Sequence, residues 1–176
     1  MPLWRLHRTL RLLPLLLTAC IADREQETGI ELRPGDALPS FSVRMDDGTT
    51  VDDRSLAGRI ALIAFFHTGC PDCRRVLPLL QRIYDEAADA AGIFCISREE
   101  GADEVAAYWK AEGLTLPYSA QEDRSVYHLF ARSGIPRIYL VAPDRRIRRV
   151  FADQPPATFD ELLAALEELR AETGNE

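Results

Sequence analysis

Lysine is almost missing from this chain. Among 176 residues with 21 basic side chains, Lys110 is the only lysine and the rest are arginine. No segment gathers positive charge into a face, and the formal net charge is -7. That balance argues against a nucleic-acid partner. Long apolar runs are also missing. A helix that crosses a bilayer needs about 20 apolar residues, and the leading run, Leu12 to Leu17, falls far short. Cysteine is scarce, at positions 20, 70, 73 and 95, with one close-spaced pair. Structural zinc takes four ligands, usually from two such pairs; Cys70, Cys73, Cys95, His67 and His128 do not form that pattern. There is no internal repeat. The remainder, 47% apolar and 28% charged, is an ordinary globular mixture, long enough for one domain with a sizeable core.

What is present begins with "MPLWRLHRTLRLLPLLLTAC". Arg5, Arg8 and Arg11 precede a short apolar middle and a small-residue end, and no acid interrupts them. This is the layout of a secretory signal. Its close, Leu17-Thr18-Ala19-Cys20, resembles the bacterial lipobox, in which the cysteine is lipidated and becomes the mature N-terminus. Residues 1–19 are therefore expected to be removed, taking three arginines and moving the formal charge from -7 to -10. Several acyl chains on Cys20 would anchor the protein stably in a lipid bilayer. Residues 20–33 are polar and without periodicity, a tether. Resemblance to sorted lipoproteins, with Ile21 rather than Asp after the cysteine, favours the outer membrane, with the domain facing the bacterial periplasm.

Residues 34–172 read as a single domain that alternates strand and helix. "FSVRM" (Phe41 to Met45) and "TTVDD" (Thr49 to Asp53) flank Asp47-Gly48, a hairpin signal. "RIALIAFF" (Arg59 to Phe66) is the continuous apolar run of a central strand buried on both faces. Pro71 to about Ala90 carries apolar Val76, Leu77, Leu80, Ile83, Tyr84 and Ala87 at helical spacing, with Pro78 inside. "GIFCIS" (Gly92 to Ser97) is a second core strand. Helices are expected over Asp103 to Ala111 and, shorter, Arg124 to Ala131. Strands "IYLVA" and "IRRVF" turn at Pro143-Asp144. A closing helix runs from Phe159 to Leu169 behind Thr158 as N-cap.

Between the first core strand and the first long helix stands "FFHTGCPDCRRVLP" (Phe65 to Pro78). A cysteine pair at this spacing alone suits a metal clamp, a structural disulfide or a reactive dithiol. The surrounding landmarks narrow it. "PGDALPSFSVRMDDGTTVDDRSLAGR", the Cys70-Pro71-Asp72-Cys73 motif, Pro78 eight residues after Cys70, and "GIPRIYLV" (Gly134 to Val141) together resemble TlpA/ResA-like redoxins of the thioredoxin fold, from about Pro34 to Leu169. The resemblance implies an α/β three-layer sandwich: a central mixed β-sheet, helices on both faces, and an N-terminal β-hairpin. It implies a thiol-disulfide oxidoreductase that needs no cofactor and no metal. Its partners would be disulfide-bonded periplasmic proteins and a membrane or periplasmic thiol electron donor. It also implies a cis Ile135-Pro136 bond facing the dithiol.

The chemistry agrees. Cys70 starts a helix, where free N–H groups and the macrodipole favour a thiolate, the species that attacks disulfides. Cys73, one turn on, would resolve the mixed disulfide. Pro71 costs nothing at a helix start, where its missing N–H has no partner to lose. Gly69, Pro71, Asp72, Ile135 and Pro136 would form the substrate groove. The Asp72 carboxylate, at about 5 Å and an effective dielectric of roughly 20–80, would oppose a thiolate by about 1–3 kcal/mol. The helix dipole returns about 0.3–1 kcal/mol. The expected direction is reduction or isomerisation, not strong oxidation.

Departures from the family pattern matter as well. Ala64 and Val76 stand where many members carry a buried acid, and Gly69 where many carry Trp. His67 is a possible modulator of the dithiol, or else a rim histidine. Cys95 reads as core, Tyr108 and Trp109 as packing residues, and Glu99-Glu100 and Glu167-Glu168 as solvated faces. A peroxiredoxin would need Pro-x-x-x-Thr-x-x-Cys, but Ile63 and His67 occupy the Pro and Thr positions relative to Cys70. A copper chaperone of the SCO-like type would need one more residue between the cysteines. The alternative kept is a thioredoxin-fold binding module or metallochaperone without redox turnover.

Overall fold

In a computed structural model the chain is described over residues 29–87 and 91–174. The signal segment, Cys20 and most of the tether lie outside those residues. So does the expected end of the first long helix. No helix among the described residues is long and apolar enough to cross a membrane.

A small antiparallel hairpin comes first, β1 (Ser42–Arg44) and β2 (Thr50–Asp52), with Val43 opposite Val51. Its turn follows from side-chain chemistry. The Asp47 carboxylate accepts from both the amide and the hydroxyl of Thr49, and Gly48 takes φ 85°, a conformation that favours glycine. These hydrogen bonds hold the Asp47 carboxyl below its usual range.

The main sheet has five strands: β3 (Ala61–Phe66), β4 (Gly92–Ser97), β5 (Tyr118–Ser119), β6 (Arg137–Val141) and β7 (Ile147–Phe151). Their order is β5-β4-β3-β6-β7. β3 runs parallel to β4 and antiparallel to β6, so the sheet is mixed, as expected. Every residue of β3 is buried. Alternation along it divides the core: Leu62, Ala64 and Phe66 face one cluster, Ala61, Ile63 and Phe65 the other.

On the first face pack α1 (Pro71–Ala87), α2 (Ala102–Glu112) and α3 (Phe159–Thr173). Val76, Leu77, Leu80 and Ile83 give α1 its buried stripe. Trp109 of α2 lies against Phe66 at 4.9 Å between ring centroids and donates its indole N–H to the Leu116 carbonyl. α3 opens on a reciprocal cap. The Thr158 hydroxyl accepts from the Glu161 amide while the Glu161 carboxylate accepts from the Thr158 amide.

The opposite face is covered differently from the sequence expectation. Arg124 to Ala131 does not form a helix; only Tyr127–Leu129 makes a 3-10 turn. Tertiary anchors explain this. The Tyr127 hydroxyl donates to the Gly134 carbonyl at 2.7 Å, and the Phe130 carbonyl accepts from Tyr139. Phe65 then meets Tyr127 and Tyr139 edge to face, and Phe130 packs tilted against Phe65 and Tyr139. The hairpin and the segment at Leu32, whose amide donates to the Phe130 carbonyl, complete that layer.

Candidate active site

β3 ends at Phe66 and α1 begins at Pro71, leaving His67 to Cys70 as the loop at the carboxyl end of the central strand. The loop folds on itself. The Gly69 amide donates to His67 Nδ1 at 2.9 Å, and the Cys70 amide donates to the His67 carbonyl.

The two cysteines have different surroundings. Cys70 is half-buried and Cys73 fully buried, and both are thiols in this structure. The Cys73 amide donates to Cys70 Sγ at 3.4 Å, the helix-start donation that a sulfur anion would use. Cys70 Sγ in turn approaches the Ile135 carbonyl at 3.6 Å. The Ile135-Pro136 peptide is cis, and Pro136 is buried beside β6. Burial pushes the Cys73 thiol up, and the neighbouring Cys70 adds to this, while the His67 backbone and Arg98 pull it down. Ala64 and Val76 are apolar core residues of the cluster that contains Cys73, so neither supplies an acid there. Cys95 is buried in that core too, and burial raises its thiol.

Asp72 lies in the first turn of α1 and is paired with Arg75 one turn on. Its charge is therefore shared and does not act on the sulfurs alone. Arg74 donates to the Thr68 carbonyl and lies over the Tyr108 ring. Pro71 and Gly69 are exposed beside them. The structure thus brings Gly69, Cys70, Ile135 and His67 to one depression of about 270 Å³.

Two residues of this site were missed in the sequence. Glu100, expected on a solvated face, is buried with 8% side-chain exposure. It accepts from the Thr68 amide at 2.6 Å and from the Thr68 hydroxyl, and its carboxylate lies 3.5 Å from His67 Nδ1. The correction has a physical cause: an acid with charge-assisted partners is stable in the interior, and the partners are 32 residues away. Arg98 is the second. Its amide donates to the Phe66 carbonyl, and it lines the depression with Cys70. Neither carried a local signal, because both act through contacts between β4 and the loop after β3.

Comparison with known proteins agrees with this geometry. Residues 34–150 match the AhpC/TSA family. The chain is similar to the thiol-disulfide oxidoreductase ResA of Oceanobacillus iheyensis, 25% identical over 142 residues, covering 78% of this chain and 73% of that protein. ResA of Bacillus subtilis is 22% identical over 118 residues, with 66% of this chain and 65% of that protein covered. The chain thus spans just under two thirds of the latter. Among solved structures, the thio-disulfide isomerase of Thermus thermophilus superposes with TM-score 0.65 at 26% identity, covering 78% of this chain and 97% of that one. The thioredoxin domain of a thiol-disulfide oxidoreductase from Bacteroides vulgatus gives TM-score 0.67 at 20% identity, covering 78% and 98%. With its mixed sheet, its hairpin and its cysteine pair at the start of α1, the chain belongs to the AhpC/TSA family as a ResA-like redoxin of thioredoxin fold.

Proposed function

We propose that the protein is a thiol-disulfide oxidoreductase of the bacterial periplasm, held to a bilayer through a lipidated Cys20 and working as a reductant or isomerase. The observation that carries this reading is the asymmetry of the pair. Cys70 is accessible at a helix start, receives an N–H on its sulfur and sits against the Ile135 carbonyl. Cys73 is buried one turn behind it. In the proposed reaction the Cys70 thiolate attacks one sulfur of a substrate disulfide. The other substrate sulfur leaves as a thiolate and takes a proton. Cys73 then loses its proton and attacks Cys70 Sγ, releasing the second substrate thiol and leaving a Cys70–Cys73 disulfide. Two electrons pass from the dithiol to the substrate, and a thiol donor must restore them.

The residues around the pair support distinct roles. Pro136 contributes a rim without an N–H donor, and Gly69 keeps the approach to Cys70 free of a side chain. Glu100 fixes Thr68 and thereby the loop that presents Cys70. Supporting context comes from the similar proteins named thiol-disulfide oxidoreductases. The test is reduction of insulin by the pre-reduced protein, with Cys73→Ser used to trap partners. Turnover in the wild type and accumulation of mixed disulfides on Cys70 in the variant are expected. Peptide or copper binding without any disulfide reduction would favour the binding module or metallochaperone instead.

A further inference from the structure

Gly29 to Leu32, which precede the domain in the chain, are built into it next to the loop that faces Cys70. The Ile30 amide donates to the His128 carbonyl at 3.0 Å, and the Leu32 amide to the Phe130 carbonyl at 2.9 Å. Leu32 is buried. Gly29 has φ 149°, and a Cβ there would stand 2.9 Å from the Ala131 carbonyl oxygen, too close for any side chain. Arg132 closes the arrangement: its Nε–H donates to the Gly29 carbonyl and its amide to one Glu31 carboxylate oxygen. The other Glu31 oxygen accepts from Arg137 Nη1 at 2.7 Å, in a pair that leaves the Arg137 side chain 11% exposed. Arg137 follows the cis Ile135-Pro136 peptide, and its Nη2 reaches back to the Ser133 carbonyl at 2.5 Å. One guanidinium thus ties together both ends of the Ser133 to Arg137 loop. Within that loop the Ile135 carbonyl stands 3.6 Å from Cys70 Sγ.

We infer that Glu31 is a positioning residue for the disulfide exchange: through Arg137 it holds the Ile135-Pro136 rim in place against Cys70. The inference rests on the oxidoreductase reading above and adds a residue that touches neither sulfur. A protein substrate must bring its disulfide in line with Cys70 Sγ while its backbone lies on the rim. Displacing one reacting partner by about 1 Å can cost about a hundredfold in rate. The rim is held by the Arg137 guanidinium, and a guanidinium this far from water needs an anion beside it. Glu31 supplies that anion with a charge-assisted bond. Without Glu31 the guanidinium is drawn toward water or toward Asp153, whose Oδ1 also approaches Gly134. The Ser133 carbonyl then loses its donor and the loop loosens. A small disulfide with no backbone to lay on the rim needs Cys70 alone and should not sense the change.

The test compares two substrates of the pre-reduced protein, insulin and hydroxyethyl disulfide, by the rate at which protein thiols are lost in a single turnover. The reaction is the balanced exchange given above: one substrate disulfide becomes two thiols and the protein dithiol becomes a disulfide. Glu31→Gln should slow insulin reduction about tenfold and change the hydroxyethyl disulfide rate by less than about twofold. Arg137→Gln should give the same split, and the double variant should lose little more than either single one, because the two residues act as one unit. Gly29→Val, which unseats the segment without touching the ion pair, should reproduce it. Circular dichroism checks that each variant is folded, and Glu31→Gln, which keeps the size of the side chain, decides the matter where Arg137→Gln does not fold. An unchanged insulin rate in Glu31→Gln would overturn the positioning role alone. So would equal slowing of both substrates, since that assigns Glu31 to stability or to the thiols. If the wild type reduces neither substrate, the oxidoreductase reading falls and the positioning role with it.

Discussion

Glu100 accepts both the backbone N–H and the hydroxyl of Thr68, joining the end of the β4 segment to the loop that presents Cys70. The Thr68 N–H donates to that carboxylate at 2.6 Å in a part-buried setting. Hydrogen bonds to charged groups contribute about 1.5–3 kcal/mol, and an orphaned buried donor costs about 1–3 kcal/mol. Replacing Glu100 by Ala should therefore destabilise the protein by about 2–4 kcal/mol in urea unfolding. Thr68→Val, which removes only the hydroxyl, should cost less. The double variant should show a coupling above about 0.5 kcal/mol. Additive losses would mean that the two groups act independently.

The dithiol should show unequal chemistry toward a small alkylating reagent. Cys70 is partly exposed, whereas Cys73 is covered and its thiol is pushed up by burial. Only the thiolate reacts, and a covered thiol must wait for local opening. Mass spectrometry after brief exposure of the reduced protein to iodoacetamide should find Cys70 modified at least about tenfold faster. Cys95 should remain unmodified on that timescale. Matching rates at Cys70 and Cys73 would reverse the proposed order of attack.

Some of this arrangement was legible in the sequence and some was not, and the difference is one of range. α1 announced itself through Val76, Leu77, Leu80 and Ile83 at helical spacing, and β3 through a run with no polar residue, because each pattern reports burial of its own segment. Cys70 and Cys73 could be placed because the helix start lies between those two signals. Arg124 to Ala131 carried a helical pattern as well, but Tyr127 and Phe130 are bound to Gly134 and Tyr139, and these tertiary bonds replace the helix. β5 is two residues long and carries no period. Glu99 and Glu100, adjacent and identical in chemistry, go to different environments: Glu99 to Arg98 and Arg124, Glu100 to Thr68. Nothing local to an acidic pair distinguishes a surface ion pair from a buried anchor.

Buried thiols give the reduced protein a stability that depends on alkaline pH. Burial raises the thiols of Cys95 and Cys73, while in the unfolded chain they titrate near about 8.5. Below that pH both states keep the protons and stability is complete. Above it the unfolded state loses them and the folded state does not, so stability falls as pH rises. Each thiol contributes a slope approaching about 1.4 kcal/mol per pH unit. Tyr127, pushed up to about 12 by its burial, adds to the loss above pH 10. Urea unfolding of reduced protein at pH 8, 9 and 10 should show this decline. Cys95→Ala, whatever it costs at neutral pH, should lower the slope by about one proton's worth; an unchanged slope would place Cys95 outside the titrating set.

The proposed anchoring rests on Cys20, which lies outside the described residues. Its motivation is the Leu17-Thr18-Ala19-Cys20 order behind a short apolar stretch. Expressed in a bacterium, the wild type should fractionate with membranes, and its N-terminal peptide should carry the mass of acyl chains on Cys20. Cys20→Ala should remain unprocessed or be mislocalised. An unmodified Cys20 in protein purified from membranes would remove the lipid anchor from the proposal.

Asp72 and Arg75 should tune the reduction potential of the dithiol. An unpaired carboxylate in the first turn of α1 would oppose a Cys70 thiolate by about 1–3 kcal/mol at about 5 Å. In the structure that carboxylate is paired with Arg75, so part of its field is cancelled. Both groups are substantially exposed, at 35% and 69% of the side chain, and solvent screens what remains. The two substitutions should therefore act in opposite directions. Asp72→Asn removes the negative charge, stabilises the reduced form and should raise the reduction potential. Arg75→Gln frees the carboxylate and should lower it. Each shift should stay within about 30 mV, the equivalent of about 1.4 kcal/mol for a two-electron couple. The wild-type value, read by equilibration against glutathione buffers, should fall well below the roughly -120 mV of a strong oxidant of this fold. A potential near that figure would reverse the proposed direction. Shifts of the same sign in both variants would show that the Asp72–Arg75 pair does not set the field at the sulfurs.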